Sequence, residues 1–153
     1  MSSKDELETL EVIPDPVSLI ESMRAVGYSV EAAIADLVDN SVSAKADNIE
    51  IKYDASDNPF VAILDNGCGM TPDMLTSAMR HGSSNPTDER DPDDLGRFGL
   101  GLKTASLSQC RKLTVVSRRN GGTSARQWNL EVVQQSGRWL VVVPDYRELG
   151  ALP

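Results

Sequence analysis

The 153-residue chain has little of what most enzyme sites are built from. His81 is its only histidine, which excludes a Ser-His-Asp triad and any multi-histidine metal centre. Cys68 and Cys110 are its only cysteines, too few for a disulfide framework or a cysteine-based zinc site. No run of 18 apolar residues occurs, so the sequence contains no membrane-spanning helix. The opening MSSKDELETLEVI has no apolar core of a secretory signal. Bases are also short: 15 against 23 acids, a formal charge of −8, which argues against coating nucleic acid by charge alone. What remains is ordinary globular composition, 40% apolar with 11 glycines, in one domain-sized chain. The expectation is a cytoplasmic protein with a flexible segment over 1–14 and one domain over 15–153.

Punctuation and periodicity divide the chain. Apolar residues at helical spacing predict a helix over 17–26, closed by Gly27. Ser29 is placed as the N-cap of a second helix reaching about Ala46. Residues 48–54 and 59–65 read as two strands around a D-N-P turn. Thr71-Pro72-Asp73 opens a short helix to about Arg80. Residues 82–98 carry five acids, two prolines and two glycines, and read as a long mobile loop of functional kind. A helix is expected over 99–110, then strands over 112–118, 125–133 and 138–143. Asn120-Gly121-Gly122 and Ser136-Gly137 are read as the hairpin turns between these last strands. Helices and strands are partly segregated, which predicts an α+β fold with a largely antiparallel sheet.

Three segments carry chemistry. In the second helix, Asp36, Asn40 and Ser43 recur on one stripe, with Asp39 at its edge, while Ile34, Leu37, Val38 and Val42 can face a core. Asp, Asn and Ser are weak helix formers where a solvated face would carry Glu, Lys and Arg. A carboxylate and an amide one turn apart suit a divalent ion and a water, since both offer hard oxygen atoms. The second segment, Asp65-Asn66-Gly67-Cys68-Gly69-Met70, follows an apolar strand. Its Asp can accept from an exocyclic amine, and its alternate glycines permit close backbone approach. The third runs from Gly96 through Gly99, Leu100, Gly101, Lys103 and Thr104 into a helix, whose free N–H groups form an anion site. It is neither a P-loop, because Leu102 separates Gly101 from Lys103, nor a dinucleotide fingerprint, because the glycine order is reversed.

In this order the three segments resemble the GHKL ATPase superfamily of gyrase B subunits, ninety-kilodalton heat-shock chaperones, sensor histidine kinases and MutL mismatch-repair proteins. The resemblance covers about residues 17–118, and LVDNS, DNGCGM and GRFGLGLK look closest to MORC-like or MutL-like members. It implies the Bergerat fold, a two-layer α/β sandwich with helices on one face of a mixed, mostly antiparallel sheet, binding ATP and Mg²⁺. On that resemblance Asn40 is the magnesium ligand and Asp36 the general base. Asp65 accepts from adenine, while Ala44, Gly67, Gly69 and Met70 line the base pocket. Gly96, Gly99, Leu100, Gly101, Lys103 and Thr104 surround the phosphates. Ser83 and Ser84 fall where related lids meet the nucleotide. The lid would span about 71–98, and its closure would drive ATP-dependent homodimerisation.

Two departures from the pattern stand out. Hydrolytic members place a Glu where this chain has Asp36, one methylene shorter, and general-base catalysis depends on geometry first. A late Gly-Thr strand that closes the pocket floor is also missing, since Gly122-Thr123 sits in a hairpin turn. The expectation is therefore slow hydrolysis by the N-terminal lobe of a longer protein. The alternatives are an ATP-sensing module without turnover and a histidine-kinase-type ATP-binding domain, although Asp36 favours hydrolysis over phosphoryl transfer. Lys103, Arg111, Lys112, Arg118 and Arg119 lend the C-terminal half a basic tendency, and the client could be DNA or protein.

Overall fold

The computed structural model describes residues 10–25, 27–80 and 101–145, together with positions 147 and 150. Among the described residues five helices and four strands follow the order α1 (Pro16–Arg24), α2 (Val30–Ser43), β1 (Ile49–Asp54), β2 (Phe60–Asp65), α3 (Pro72–Ala78), α4 (Gly101–Gln109), β3 (Lys112–Arg119), β4 (Gly122–Asn129) and α5 (Leu130–Ser136). The class is α+β and the strands pair antiparallel, as the order of elements implied.

Local chemistry explains the helix starts. Asp15 caps α1 by accepting from the Ser18 N–H at 2.8 Å, and Pro16 fills the first position, where no donor is needed. Ser29 accepts from the Ala32 N–H at 3.2 Å to open α2. Thr71 accepts from the Met74 N–H at 3.3 Å, with Pro72 behind it, to open α3.

Among the described residues the strands pair as two antiparallel hairpins, β1 with β2 and β3 with β4. Ile51 faces Ile63 across β1 and β2, and Val115 faces Arg126 across β3 and β4. Asn120 (φ 52°) and Gly121 (φ 78°) make the second hairpin's tight turn with the left-handed pair that such turns require.

The C-terminal part corrects the expected strands. Residues 130–136 are helical: Asn129 caps α5 by accepting from the Glu131 N–H at 3.0 Å, and Gly137 ends it in the left-handed conformation. Ser136-Gly137 is thus a helix end and not a hairpin turn. The strand expected over 138–143 reduces to a single bridge between Val142 and Gln127.

One core joins these pieces. Ile20 of α1, Leu75 and Met79 at α3, Leu107 of α4, Trp128 of β4, and Leu130 and Val133 of α5 are buried together. Trp128 donates from Nε1 to the Met79 carbonyl at 2.9 Å and meets Trp139 edge-on at 6.0 Å. This core holds α3, α4 and the β3–β4 hairpin in fixed relation. α2 packs on α4 and on β2. Among the described residues no helix is long and apolar enough to cross a membrane.

Candidate functional site

The chemistry-bearing stripe lies on α2 as expected, but the helix packs by a neighbouring one. Its buried residues are Ala33 and Ser41, two turns apart, while Val42, expected in a core, is 45% exposed. On this helix Asp36 and Asn40 are half-buried and Asp39 is exposed. Asp36 Oδ2 accepts a hydrogen bond from the Tyr28 hydroxyl. The hydrogen bond to Asp36 holds that phenol's pKa above the ordinary tyrosine value, with desolvation and the carboxylate's charge acting in the same direction.

Asn40 presents a side-chain nitrogen that is buried without a hydrogen-bond partner among the described residues. An unmet buried amide is costly, by about 1–3 kcal/mol, unless something else meets it. A half-turn of the amide puts Oδ1 at the same spot, which is the oxygen a hard cation takes. No group of three or more His, Cys, Asp or Glu able to hold a metal ion occurs among the described residues. The donors present therefore fit an ion that keeps most of its shell as water and phosphate oxygen, as Mg²⁺ does, and do not form an all-protein cage.

The turn after β2 is tied to the end of α2. Asp65 is exposed, and its Oδ2 accepts from the Ser41 hydroxyl at 3.0 Å while its Oδ1 accepts from the Gly67 N–H at 2.8 Å. The Cys68 N–H donates to the Ala44 carbonyl at 2.9 Å. Asn66 Oδ1 accepts from the backbone N–H groups of Asp47 and Asn48, each at 3.0 Å.

The glycines serve the chain's own packing. A Cβ on Gly67 would sit 2.7 Å from the Ala44 Cβ. Gly69 has φ +65°, and a Cβ there would sit 2.1 Å from the Arg118 carbonyl oxygen. The turn is thereby pressed onto β3, where the Met70 N–H donates to Ser117 Oγ at 2.7 Å and Arg119 Nη1 donates to the Gly69 carbonyl at 3.2 Å. Met70 also packs against the core.

The third segment is seen only from Gly101 onward. Ser83, Ser84, Gly96, Gly99 and Leu100 lie outside the described residues. Thr104 is half-buried on α4. Lys103 is 1% exposed, and its ammonium donates to the carbonyls of Ala78, at 2.9 Å, and Arg80, so it caps the C-terminal end of α3. Burial lowers its pKa from the ordinary lysine value. At the other end of α4, Arg24 donates to the carbonyls of Leu107 at 2.6 Å and Cys110 at 2.7 Å.

The structure thus joins Asp65 and Gly67 to the end of α2 through Ser41 and Ala44, carries Asp36 and Asn40 on the same helix, and seats Gly69 and Met70 on β3. Three contributing residues carry no signal in the sequence pattern. Ser41 looks like one more polar residue beside Asn40, yet it is the buried link to Asp65. Tyr28 precedes the helix and meets Asp36 two turns along it. Ser117 sits between Val116 and Arg118 on β3 and receives the glycine turn.

A family profile described as histidine kinase-, DNA gyrase B- and HSP90-like ATPase matches residues 28–152. Among curated proteins, the DNA mismatch repair protein MutL of Paramagnetospirillum magneticum is 34% identical over 125 residues, 76% of this chain and 19% of that protein. MutL of Shewanella loihica is 30% identical over 148 residues, covering 94% of this chain and 22% of that protein. MutL of Elusimicrobium minutum is 31% identical over 126 residues, covering 79% and 20%. The chain spans about a fifth of the length of these relatives. The profile match takes in both the α2 stripe and the glycine turn, and the chain belongs to the histidine kinase-, DNA gyrase B- and HSP90-like ATPase family.

Proposed function

We propose that this chain is an ATP-binding lobe that takes its nucleotide with Mg²⁺ and hydrolyses it slowly. The observation that carries the reading is the Ser41 bridge. It locks Asp65 to α2 one residue from Asn40, so a group that can read a base and a group that can ligate an ion share one rigid helix end. Asp65 already accepts from Ser41 and Gly67, and an ionised carboxylate has lone pairs left for the adenine amine. Asn40 supplies the amide oxygen to the ion, and Asp36 takes the proton of the attacking water. Held by Asn40, Mg²⁺ would supply neutralisation of phosphate charge. The first turn of α4, with Gly101 and Thr104, would face the phosphates, and the expected contributions of Gly96, Gly99 and Leu100 fall outside the described residues. Lys103 joins them only by leaving the Ala78 and Arg80 carbonyls, which ties phosphate contact to the end of α3.

The reading extends to a switch. Of the lid expected over 71–98, α3 is anchored in the core through Leu75 and Met79, so the segment after it would be the part that closes over ATP, with closure promoting a homodimer and hydrolysis releasing it. The relatives' mismatch-repair role makes DNA a candidate client. Hydrogen exchange with a non-hydrolysable ATP analogue tests the lid. Protection should rise across 82–98, and an unchanged pattern there would remove the lid from the account.

Base selectivity tests the Asp65 assignment. GTP presents an oxygen where ATP presents the amine, so a carboxylate facing it loses its donor. Calorimetric titration should show GTP binding more weakly than ATP by about 1–3 kcal/mol. Asp65→Asn should narrow that gap. Equal affinity for the two nucleotides in the parent would sink the assignment.

A further inference from the structure

The geometry points to Tyr28 as a positioning residue that fixes the Asp36 carboxylate and links it to the far end of α4. This rests on the reading of Asp36 as the base, and adds a residue to it. The Tyr28 hydroxyl donates to Asp36 Oδ2, and the Tyr28 carbonyl accepts from the side-chain amide of Gln109. Gln109 is the last residue of α4, the helix whose first residue, Gly101, belongs to the glycine-rich segment. One tyrosine therefore joins the candidate base to the helix that opens at the candidate phosphate site.

Both ends of the link are anchored. Ser29, the next residue, is held in extended geometry as the N-cap of α2, which fixes where the Tyr28 ring leaves the backbone. Arg24 binds the Leu107 and Cys110 carbonyls on either side of Gln109, which fixes the end of α4. α2 and α4 also pack directly on one another.

The arrangement matters because the base is Asp and not Glu. A glutamate turns about three side-chain torsions and an aspartate about two, so one hydrogen bond restrains an aspartate carboxylate more fully. The phenol holds Oδ2, and Oδ1 is then oriented to accept the proton from water. Reach lost to the missing methylene is offset by a carboxylate held in one orientation. The raised pKa of the Tyr28 phenol agrees with a bond maintained throughout the neutral range.

The test compares Tyr28→Phe, Gln109→Ala and Asp36→Asn in the full chain, with kcat and KM for Mg-ATP measured for each. Tyr28→Phe should lower kcat about tenfold while KM stays within about twofold, because the bond acts on the water and not on the nucleotide. Gln109→Ala, at an exposed side chain whose loss leaves the core intact, should lower kcat about threefold with KM unchanged. The double variant Tyr28→Phe with Asp36→Asn should be no slower than Asp36→Asn alone, since both act through one carboxylate. An inactive Asp36→Asn beside Tyr28→Phe at the parent rate would overturn the role of Tyr28 and leave Asp36 standing. A fully active Gln109→Ala would overturn the link to α4. Asp36→Asn turning over as fast as the parent would overturn the assignment of the base itself.

Discussion

Gly69→Ala should destabilise the fold by about 3–5 kcal/mol, from a left-handed backbone unsuited to alanine and from the loss of the contacts that press the turn onto β3. The new Cβ would sit 2.1 Å from the Arg118 carbonyl oxygen, which is backbone in a paired strand and cannot turn aside. The turn must therefore lift, which breaks the bond from Met70 N–H to Ser117 and the bond from Arg119 to the Gly69 carbonyl. Gly121→Ala is the matching control. Its φ is +78°, but nothing lies within 4 Å of the added carbon, so only the backbone term of about 1–2 kcal/mol applies. Urea unfolding of both variants measures the difference. Equal losses would mean that the turn is not seated on β3 as described.

That contact shows where sequence reading stops. The second helix was legible because Ser29 and the following apolar residues act locally, through one cap and one period. Asp65-Asn66-Gly67 was legible as a turn for the same reason. Residues 130–136 misled because Val132 and Val133 favour strands, while the cap at Asn129 and the left-handed Gly137 that make the helix are weaker signals. The burial of Ser41 was not legible. Whether a small polar residue faces core or water depends on the partner, and Asp65 comes from 24 residues away. The same holds for Lys103. A lysine beside glycines in an anion-binding segment suggests phosphate, and only the fold shows α3's carbonyls within its reach. Tyr28 escaped notice because a residue outside a helix has no periodicity to mark it.

Asn40 and Asp36, one turn apart, should separate binding from chemistry. On the proposed reading the Asn40 amide oxygen would hold the ion, so Asn40→Ala would leave ATP without its protein-anchored ion. The variant should lose the tightening of ATP that Mg²⁺ confers, about tenfold to a hundredfold in Kd, if one charge-assisted contact is removed. Asp36→Ala removes the proposed proton acceptor and the partner of the Tyr28 hydroxyl, and leaves the proposed ion ligand in place. It should keep ATP affinity within about twofold and lose hydrolysis by about a hundredfold or more, the usual worth of a positioned base. Asp36→Glu should raise turnover if the missing methylene limits the rate. Equal loss of ATP binding in the Asn40 and Asp36 variants would contradict this division of roles. The most direct test of the whole account is calorimetric titration of ATP into the parent and into Asn40→Ala, each with and without Mg²⁺. The account predicts one saturable site in the parent, tightened by Mg²⁺, and no such tightening in Asn40→Ala. No saturable site in the parent, or equal tightening in both proteins, would contradict it.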